Sequence, residues 1–137
     1  MTSHSTTLLA VALACGPAVA LADSLPIRFT EAELGATTDP TGLWRPAEIA
    51  EGGSLVQPSI WFATFPVDGG EVTLSILTDR WCGMSECPYR LRLVVPARRL
   101  DLRGEGMACQ ARELFTYDPV ELTITACAQT IDLKELR

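Results

Sequence analysis

The sequence predicts a small antiparallel β-sandwich or barrel of about six to eight strands, with at most short helical turns. Three observations in the 137-residue chain support this fold class. Several short segments alternate apolar and polar residues, as strands with one buried face do. Residues that favour turns separate these segments. Four cysteines lie between residues 82 and 127, an even number that favours two disulfides.

Six segments carry the strand pattern. Residues 59–65 are strongly apolar and aromatic and are followed by a proline- and glycine-rich turn, which predicts a central strand. Residues 71–78 and 89–95 each place apolar side chains on one face. Three shorter alternating segments complete the set: residues 99–103, 120–125 and 130–134.

Two segments predict single helical turns. In residues 30–34, Thr30 and Glu33 have the spacing of a capping box. In residues 46–51, a proline stands at the first-turn position, where its missing N–H costs nothing. Both segments are too short to change the fold class.

Strand register favours one of the three disulfide pairings of Cys82, Cys87, Cys109 and Cys127. If Cys82 faces Cys87 across a hairpin, Ile76 falls opposite Leu93, Leu74 opposite Val95 and Asp79 opposite Arg90, so apolar meets apolar and acid meets base. The second bridge, Cys109 to Cys127, follows mainly by elimination. It would close a hairpin that turns at residues 117–119 and sets Leu114 opposite Leu122.

The first 22 residues predict a secretory signal peptide, leaving residues 23–137 as a single domain. Residues 6–22 are uncharged and apolar and end in Ala-Leu-Ala, the small-x-small pattern of a cleavage site. This apolar segment is shorter than the roughly 20 residues that a transmembrane helix needs, and no later stretch is apolar enough for one. The expected localisation is therefore periplasmic or secreted. Lipid attachment at Cys15 is the alternative.

Charge divides the predicted domain into three parts. Residues 80–112 carry net charge +4, whereas residues 23–79 carry −7 and residues 113–137 carry −3. The basic part includes Arg90 and Arg92, and we expect these two to pair with acids on neighbouring strands. The alternative is a patch for an anionic glycan, a lipid head group or an acidic envelope protein. Overall charge and compartment argue against nucleic acid.

The predicted contact surface is the disulfide-closed hairpin tip at residues 81–89. Trp81, Met84, Glu86 and Tyr89 lie in or beside this loop, with Arg90 and Arg92 following. A rigid loop loses little entropy on docking, and Trp, Tyr, Arg and Met are common interface anchors. In the alternative, Trp81 and Tyr89 only pack onto the sheet end and the bridge pins a hairpin.

The spacing Cys82-Gly-Met-Ser-Glu-Cys87 resembles the protruding loop of the bacterial periplasmic inhibitors of vertebrate lysozyme. The resemblance covers about six residues and implies a loop that enters the lysozyme cleft. In that family the loop carries a histidine, and this loop has none. Glu86 is the hydrogen-bonding group that would stand in its place.

A non-enzymatic binding or accessory role is the expected function. The only histidine, His4, lies in the predicted signal, so the predicted domain lacks an imidazole for nucleophilic catalysis or metal binding. The cysteine spacing does not match a zinc ribbon, and no phosphate-binding loop is present, so neither metal nor cofactor is expected. The alternative enzyme is a carboxylate-dependent hydrolase using residues such as Asp68, Glu71, Asp79 and Glu86.

Overall fold

The computed structural model describes residues 23–33, 39–51, 59–78, 82 and 85–137. The predicted signal peptide with Cys15 lies outside these residues, as do Asp79, Trp81 and Met84. The described strands, in chain order, are β1 (Leu25–Pro26), β2 (Thr30–Glu33), β3 (Ser59–Val67), β4 (Gly70–Thr78), β5 (Glu86–Val95), β6 (Leu100–Cys109), β7 (Thr116–Asp118), β8 (Thr123–Ala126) and β9 (Gln129–Asp132).

These strands form two antiparallel sheets, which confirms the predicted fold class. The larger sheet has the order β2-β3-β4-β5-β6, so β3 is an interior strand, as predicted. The smaller sheet has the order β1-β7-β8-β9. The helix α1 (Pro46–Glu51) confirms the second predicted helical turn. The described residues also contain three 3₁₀ turns: Pro96–Arg98, Arg112–Leu114 and Leu133–Glu135.

The main core lies between the two sheets. Alternate residues of β4 and β5 share one face, among them Leu74, Ile76 and Leu91, each at most 1% exposed. Phe115, which directly precedes β7, and Ile124 of β8 are both fully buried in the same cluster. Burial of apolar side chains from both sheets is the main force that holds the layers together.

A second, smaller core covers the other face of the larger sheet. Ile60 of β3 and Leu77 of β4 pack there against Leu43, Trp44 and Ile49, which belong to α1 and the chain before it. The larger sheet therefore has an apolar cover on both faces at β3 and β4. The candidate site lies where this cover ends, above β5 and β6.

The observed register of β4 and β5 differs from the predicted one by four residues. Ile76 lies opposite Tyr89, Leu74 opposite Leu91 and Ser75 opposite Arg90. The predicted pairs of Ile76 with Leu93, Leu74 with Val95 and Asp79 with Arg90 are therefore wrong. An even shift leaves each side chain on its predicted face, which is why the core prediction still holds.

The reason for the shift is the position of the first bridge, Cys82–Cys87, whose pairing is confirmed. Cys87 lies inside β5, while Cys82 comes four residues after the last residue of β4. The sulfur of Cys82 lies 3.4 Å from the carbonyl oxygen of Leu77. The bridge thus ties the connecting segment back to the end of β4 and does not join two directly opposed strand residues.

The second bridge, Cys109–Cys127, is also confirmed, but the hairpin predicted to surround it is wrong. Cys109 ends β6 and lies opposite Glu86 in the larger sheet. Cys127 lies in the turn between β8 and β9 of the smaller sheet. The bridge therefore joins the two sheets.

The hairpin of β7 and β8 has its own register. Its strands pair Thr116 with Thr125 and Tyr117 with Ile124, and Leu122 lies in the connecting turn. The predicted pairing of Leu114 with Leu122 is wrong because Leu114 belongs to a 3₁₀ turn. The strand predicted at residues 120–125 begins only at Thr123, because residues 119–122 form the turn before it.

The first predicted helical turn, at residues 30–34, is wrong. Residues Thr30–Glu33 form strand β2, which pairs with β3 along its whole length, with Thr30 opposite Phe62 and Ala32 opposite Ile60. A capping box offers a few local hydrogen bonds, whereas pairing with β3 adds a ladder and packs Ala32 against the smaller core.

The outer edge of β6 is covered at two places. The side-chain amide of Gln129 accepts a hydrogen bond from the Cys109 N–H at 3.0 Å and donates to the Met107 carbonyl at 3.5 Å, as a neighbouring peptide group would. The same amide donates to Glu86 at 2.8 Å. Further along, Arg137 exchanges two backbone hydrogen bonds with Arg103. Covered edges resist pairing with other chains.

Candidate binding cleft beside the Trp44 loop

The Trp44 loop, residues 39–45, precedes α1 and is held in shape by one carboxylate. Asp39 accepts hydrogen bonds from the backbone N–H groups of Thr41, Leu43 and Trp44, each at 2.8 Å. It also accepts one from the Thr41 hydroxyl at 2.7 Å. Asp is well suited to this position because its short side chain can bond to the backbone that follows it.

Trp44 anchors this loop to the sheet. Its indole N–H donates to the hydroxyl of Ser75 at 2.8 Å, and Ser75 is fully buried in β4. Because the buried indole N–H and the buried hydroxyl form a hydrogen bond with each other, this bond offsets part of the free energy lost when both groups leave water. The guanidinium of Arg90 lies 4.5 Å from the centre of the Trp44 ring, which adds a cation–π contact.

Arg90 joins β5 to the loop and to α1. It donates to both carboxylate oxygens of Glu48, at 2.7 and 2.6 Å, and to the Leu43 carbonyl at 2.8 Å. The side chains of Arg90 and Glu48 are only 24% and 22% exposed. The hydrogen bonds from Arg90 hold the pKa of Glu48 well below its usual range, and the Glu48 carboxylate raises the pKa of Arg90.

A cleft of about 660 Å³ opens between this loop and the edge of the larger sheet. Residues 42–46 form one wall and residues 103–105 of β6 form the other, with Arg90 and Leu91 of β5 between them. Sites for small molecules commonly have volumes of about 300–1,000 Å³. Two other described clefts, at the β1 and β3 edges and between β6 and β9, measure about 280 and 270 Å³.

The charges along the cleft are unequal. Arg45, Arg90 and Arg103 line it together with Glu105. Glu48 neutralises Arg90, and the nearest approach of Glu105 to Arg90 is 3.6 Å. The lining therefore carries excess positive charge, in a chain whose overall charge is −6.

Of the predicted contact residues, four are described and all four have contacts within the fold. Glu86 accepts the hydrogen bond from Gln129, and Tyr89 packs against the main core, where burial raises the pKa of its phenol. Arg92 forms a two-bond ion pair with Asp101, at 2.8 and 2.7 Å. Trp81 and Met84 lie outside the described residues, so the hairpin-tip surface stays a prediction.

The expectation that Arg90 pairs with an acid on a neighbouring strand is met by Glu105 of β6, whereas its nearer partner, Glu48, belongs to α1. Its predicted partner, Asp79, lies outside the described residues, and Ser75 occupies the position opposite Arg90. Glu48 follows the same loop that carries Trp44, which explains how an acid distant in sequence reaches this face.

The carboxylates suggested for a hydrolase do not come together among the described residues. Asp68 and Glu71 lie at the turn between β3 and β4, with Glu71 opposite Val94. Glu86 is eight residues away from Val94 along β5, roughly 26 Å at the usual strand rise. Across the described part of the chain, no group of three His, Cys, Asp or Glu residues is placed to hold a metal ion.

Sequence reasoning missed Trp44, Ser75, Glu48 and Arg103 as site residues. One signal was present: a lone serine, Ser75, stands within the apolar run of β4 and needs a buried partner. The indole that meets it is 31 residues away along the chain. Nothing local to either residue indicates the pairing.

The described part of the chain contains no helix with the length and hydrophobicity needed to cross a bilayer. Comparisons with protein-family models, with curated proteins and with solved structures find no match to this chain.

Proposed function

We propose that the protein is a small exported, non-enzymatic binding protein and that the cleft beside the Trp44 loop is its ligand site. The observation that carries this proposal is that both walls of the cleft are fixed within the fold. Asp39 shapes the loop, Trp44 bonds to Ser75, and Arg90 joins the loop to β5. A site that is already formed loses little conformational entropy when a ligand binds.

Export is supported by the apolar residues 6–22 with their cleavage-site pattern and by the two disulfides. Disulfides persist in oxidising compartments such as the periplasm and the extracellular space. The expected ligands are therefore molecules of the cell envelope or its surroundings. Such a site would serve capture or an accessory role, with no bond made or broken.

The geometry favours binding over hydrolysis. A glycosidase needs two carboxyl groups about 5 to 9.5 Å apart across its cleft. Among the described residues, Glu105 is the one carboxylate that lines the cleft beside the Trp44 loop, while Asp68 and Glu71 lie at a different end of the sheet from Glu86.

A second candidate function is inhibition of lysozyme through the loop between Cys82 and Cys87. The bond between these two cysteines favours it, since a closed loop is what the resemblance requires. Its test is direct: purified protein is added to a vertebrate lysozyme and cell-wall lysis is measured. Unchanged lysis at a large excess of protein would remove this candidate.

The test of the main proposal is a comparison of cleft and loop variants. Glu105→Trp fills the cleft from an exposed position, since the Glu105 side chain is 76% exposed. Glu113→Trp, at an exposed 3₁₀ position away from the cleft, is the matched control. Trp81→Ala with Met84→Ala tests the loop tip.

Each immobilised protein is incubated with envelope extract, and bound glycans, lipids and proteins are eluted and identified. We expect a ligand that the wild type and Glu113→Trp retain and that Glu105→Trp loses. Loss with the loop variant alone would move the site to residues 81–89. Equal retention by all variants would contradict the cleft as the site.

A further inference from the structure

We infer that the cleft beside the Trp44 loop binds an anionic group, a carboxylate or a phosphate on a small polar ligand, and that Arg103 is the residue that receives it. This inference rests on the proposed function, because it assigns the ligand class of the same cleft. It follows from how the charges of β5 and β6 are arranged.

Arg103 lies directly opposite Arg92 in the pairing of β5 with β6. Side chains at opposed positions are close, with Cβ atoms about 4.5–5.5 Å apart, and like charges at such positions destabilise a sheet. An anion bound beside Arg103 would relieve this repulsion. The ion pair of Asp101 with Arg92 already offsets part of this repulsion, and an anion beside Arg103 would offset more of it.

The nearest acid on the same strand is already used. Both oxygens of Asp101 bond to Arg92, one to its Nε at 2.8 Å and one to its Nη2 at 2.7 Å. These hydrogen bonds hold the pKa of Asp101 below its usual range. Asp101 therefore remains ionised at neutral pH with both oxygens bonded to Arg92, and the more distant charge of Arg103 also lowers its pKa.

The other neighbouring acid is Glu105, and its ion-pair contact is with Arg90. Within the described residues, no carboxylate lies at ion-pair distance from the Arg103 guanidinium. Arg103 is thus an exposed cation that lines the cleft and that forms no ion pair with any acid in the described part of the chain.

The opposite wall also presents a cation. Arg45 lines the cleft with a side chain that is 79% exposed, and one of its nitrogens lies 3.2 Å from Glu48. A ligand that fits the cleft therefore meets positive charge on both sides. A guanidinium binds a carboxylate or a phosphate with two parallel hydrogen bonds, which gives direction as well as attraction.

The variant Arg103→Gln removes the charge without disturbing the fold. The contacts that hold this residue in β6 are backbone contacts, to Arg92 across the sheet and to Arg137 at the edge. Arg98→Gln is the matched control, because Arg98 is exposed in a 3₁₀ turn outside the cleft. Both variants remove one positive charge, so a general charge effect would appear in both.

The measurement is calorimetric titration of each protein, at low and at moderate salt, with a disaccharide that carries a uronic acid, with a hexose phosphate and with a neutral disaccharide. We expect the wild type and Arg98→Gln to bind a charged probe at least tenfold more tightly than the neutral one. We expect Arg103→Gln to lose at least tenfold in affinity. Binding of the uronate alone identifies a carboxylate ligand, and binding of the phosphate alone identifies a phosphate ligand.

Equal affinity of Arg103→Gln and the wild type would overturn the assignment, as would equal binding of neutral and charged probes or no binding of any probe. The Glu105→Trp variant separates this failure from failure of the proposed function. If Glu105→Trp abolishes ligand retention while Arg103→Gln does not, the cleft is the site and only the anion assignment is wrong. If neither change affects retention, both proposals fail.

Discussion

Replacing Glu48 by Gln should destabilise the protein by about 2 kcal/mol at neutral pH. Glu48 accepts two hydrogen bonds from Arg90, at 2.7 and 2.6 Å, and both partners are less than a quarter exposed. A hydrogen bond with a charged partner contributes about 1.5–3 kcal/mol, roughly twice a neutral one, so loss of the carboxylate charge costs about 1 kcal/mol per bond. The exposed contact of Glu48 with Arg45 adds little.

The same change should flatten the loss of stability in acid. Arg90 lowers the folded-state pKa of Glu48 from its ordinary value of 4.5. A depressed acid pKa gives stability that is complete above the unfolded-state pKa and is lost as pH falls toward the folded-state pKa. The stability difference between wild type and Glu48→Gln should therefore be constant at neutral pH and shrink progressively below about pH 4.5.

Urea unfolding at pH 7, 4.5 and 3, with the disulfides intact, measures this difference. Glu121→Gln serves as the control, since Glu121 is exposed in the turn before β8. Its stability should match that of the wild type within about 0.5 kcal/mol at each pH. A loss below 0.5 kcal/mol for Glu48→Gln at pH 7, or a difference that does not narrow in acid, would refute the role given to the ion pair.

Three further predictions concern the core, the inter-sheet bridge and the covered edge. Phe115→Ala should cost about 3–5 kcal/mol in urea unfolding, because the ring is fully buried between the sheets; a smaller loss would mean that the core closes around the gap. Cys109→Ser with Cys127→Ser should cost about 3 kcal/mol on the loop-entropy model, and unchanged stability would contradict a structural bridge. Gln129→Ala should lower the free energy of unfolding by about 1–2 kcal/mol, because the Cys109 N–H loses its acceptor. It should also uncover the edge of β6 and so increase self-association, measured by light scattering. A variant that stays monomeric and as stable as the wild type would show that the amide does not protect the edge.

The alternation of apolar residues was enough to predict the main strands and their faces. Val72, Leu74 and Ile76 were expected on one face of β4, and all three are buried in the main core. Alternation fixes the parity of a strand, and the buried face then follows. It does not fix the pairing between strands, because any even shift preserves the same faces.

The disulfide pairings were predictable, but their geometry was not. The assumption that Cys82 and Cys87 face each other set the register four residues away from the observed one. A bridge restrains the distance between two residues without requiring that they are opposed in a ladder. Cys109 and Cys127 show the same limit, since they belong to different sheets.

The cleft could be predicted only in part. The pattern indicated that Arg90 is on a polar face and needs an acid, and it indicated a helical turn at residues 46–51. That this turn supplies the acid, Glu48, depends on how the chain before it folds over β4. A contact between residues 42 positions apart is decided by packing and leaves no local pattern.

The bridge between Cys109 and Cys127 determines what proteolysis of the chain would release. Exposed turns are the usual sites of nicking, and residues 119–121 form such a turn within the segment that the bridge encloses. A peptide bond cut there would leave the two fragments covalently joined, with each sheet still paired and the buried surfaces still in contact. Cleavage at this turn should therefore become visible on a denaturing gel only after reduction.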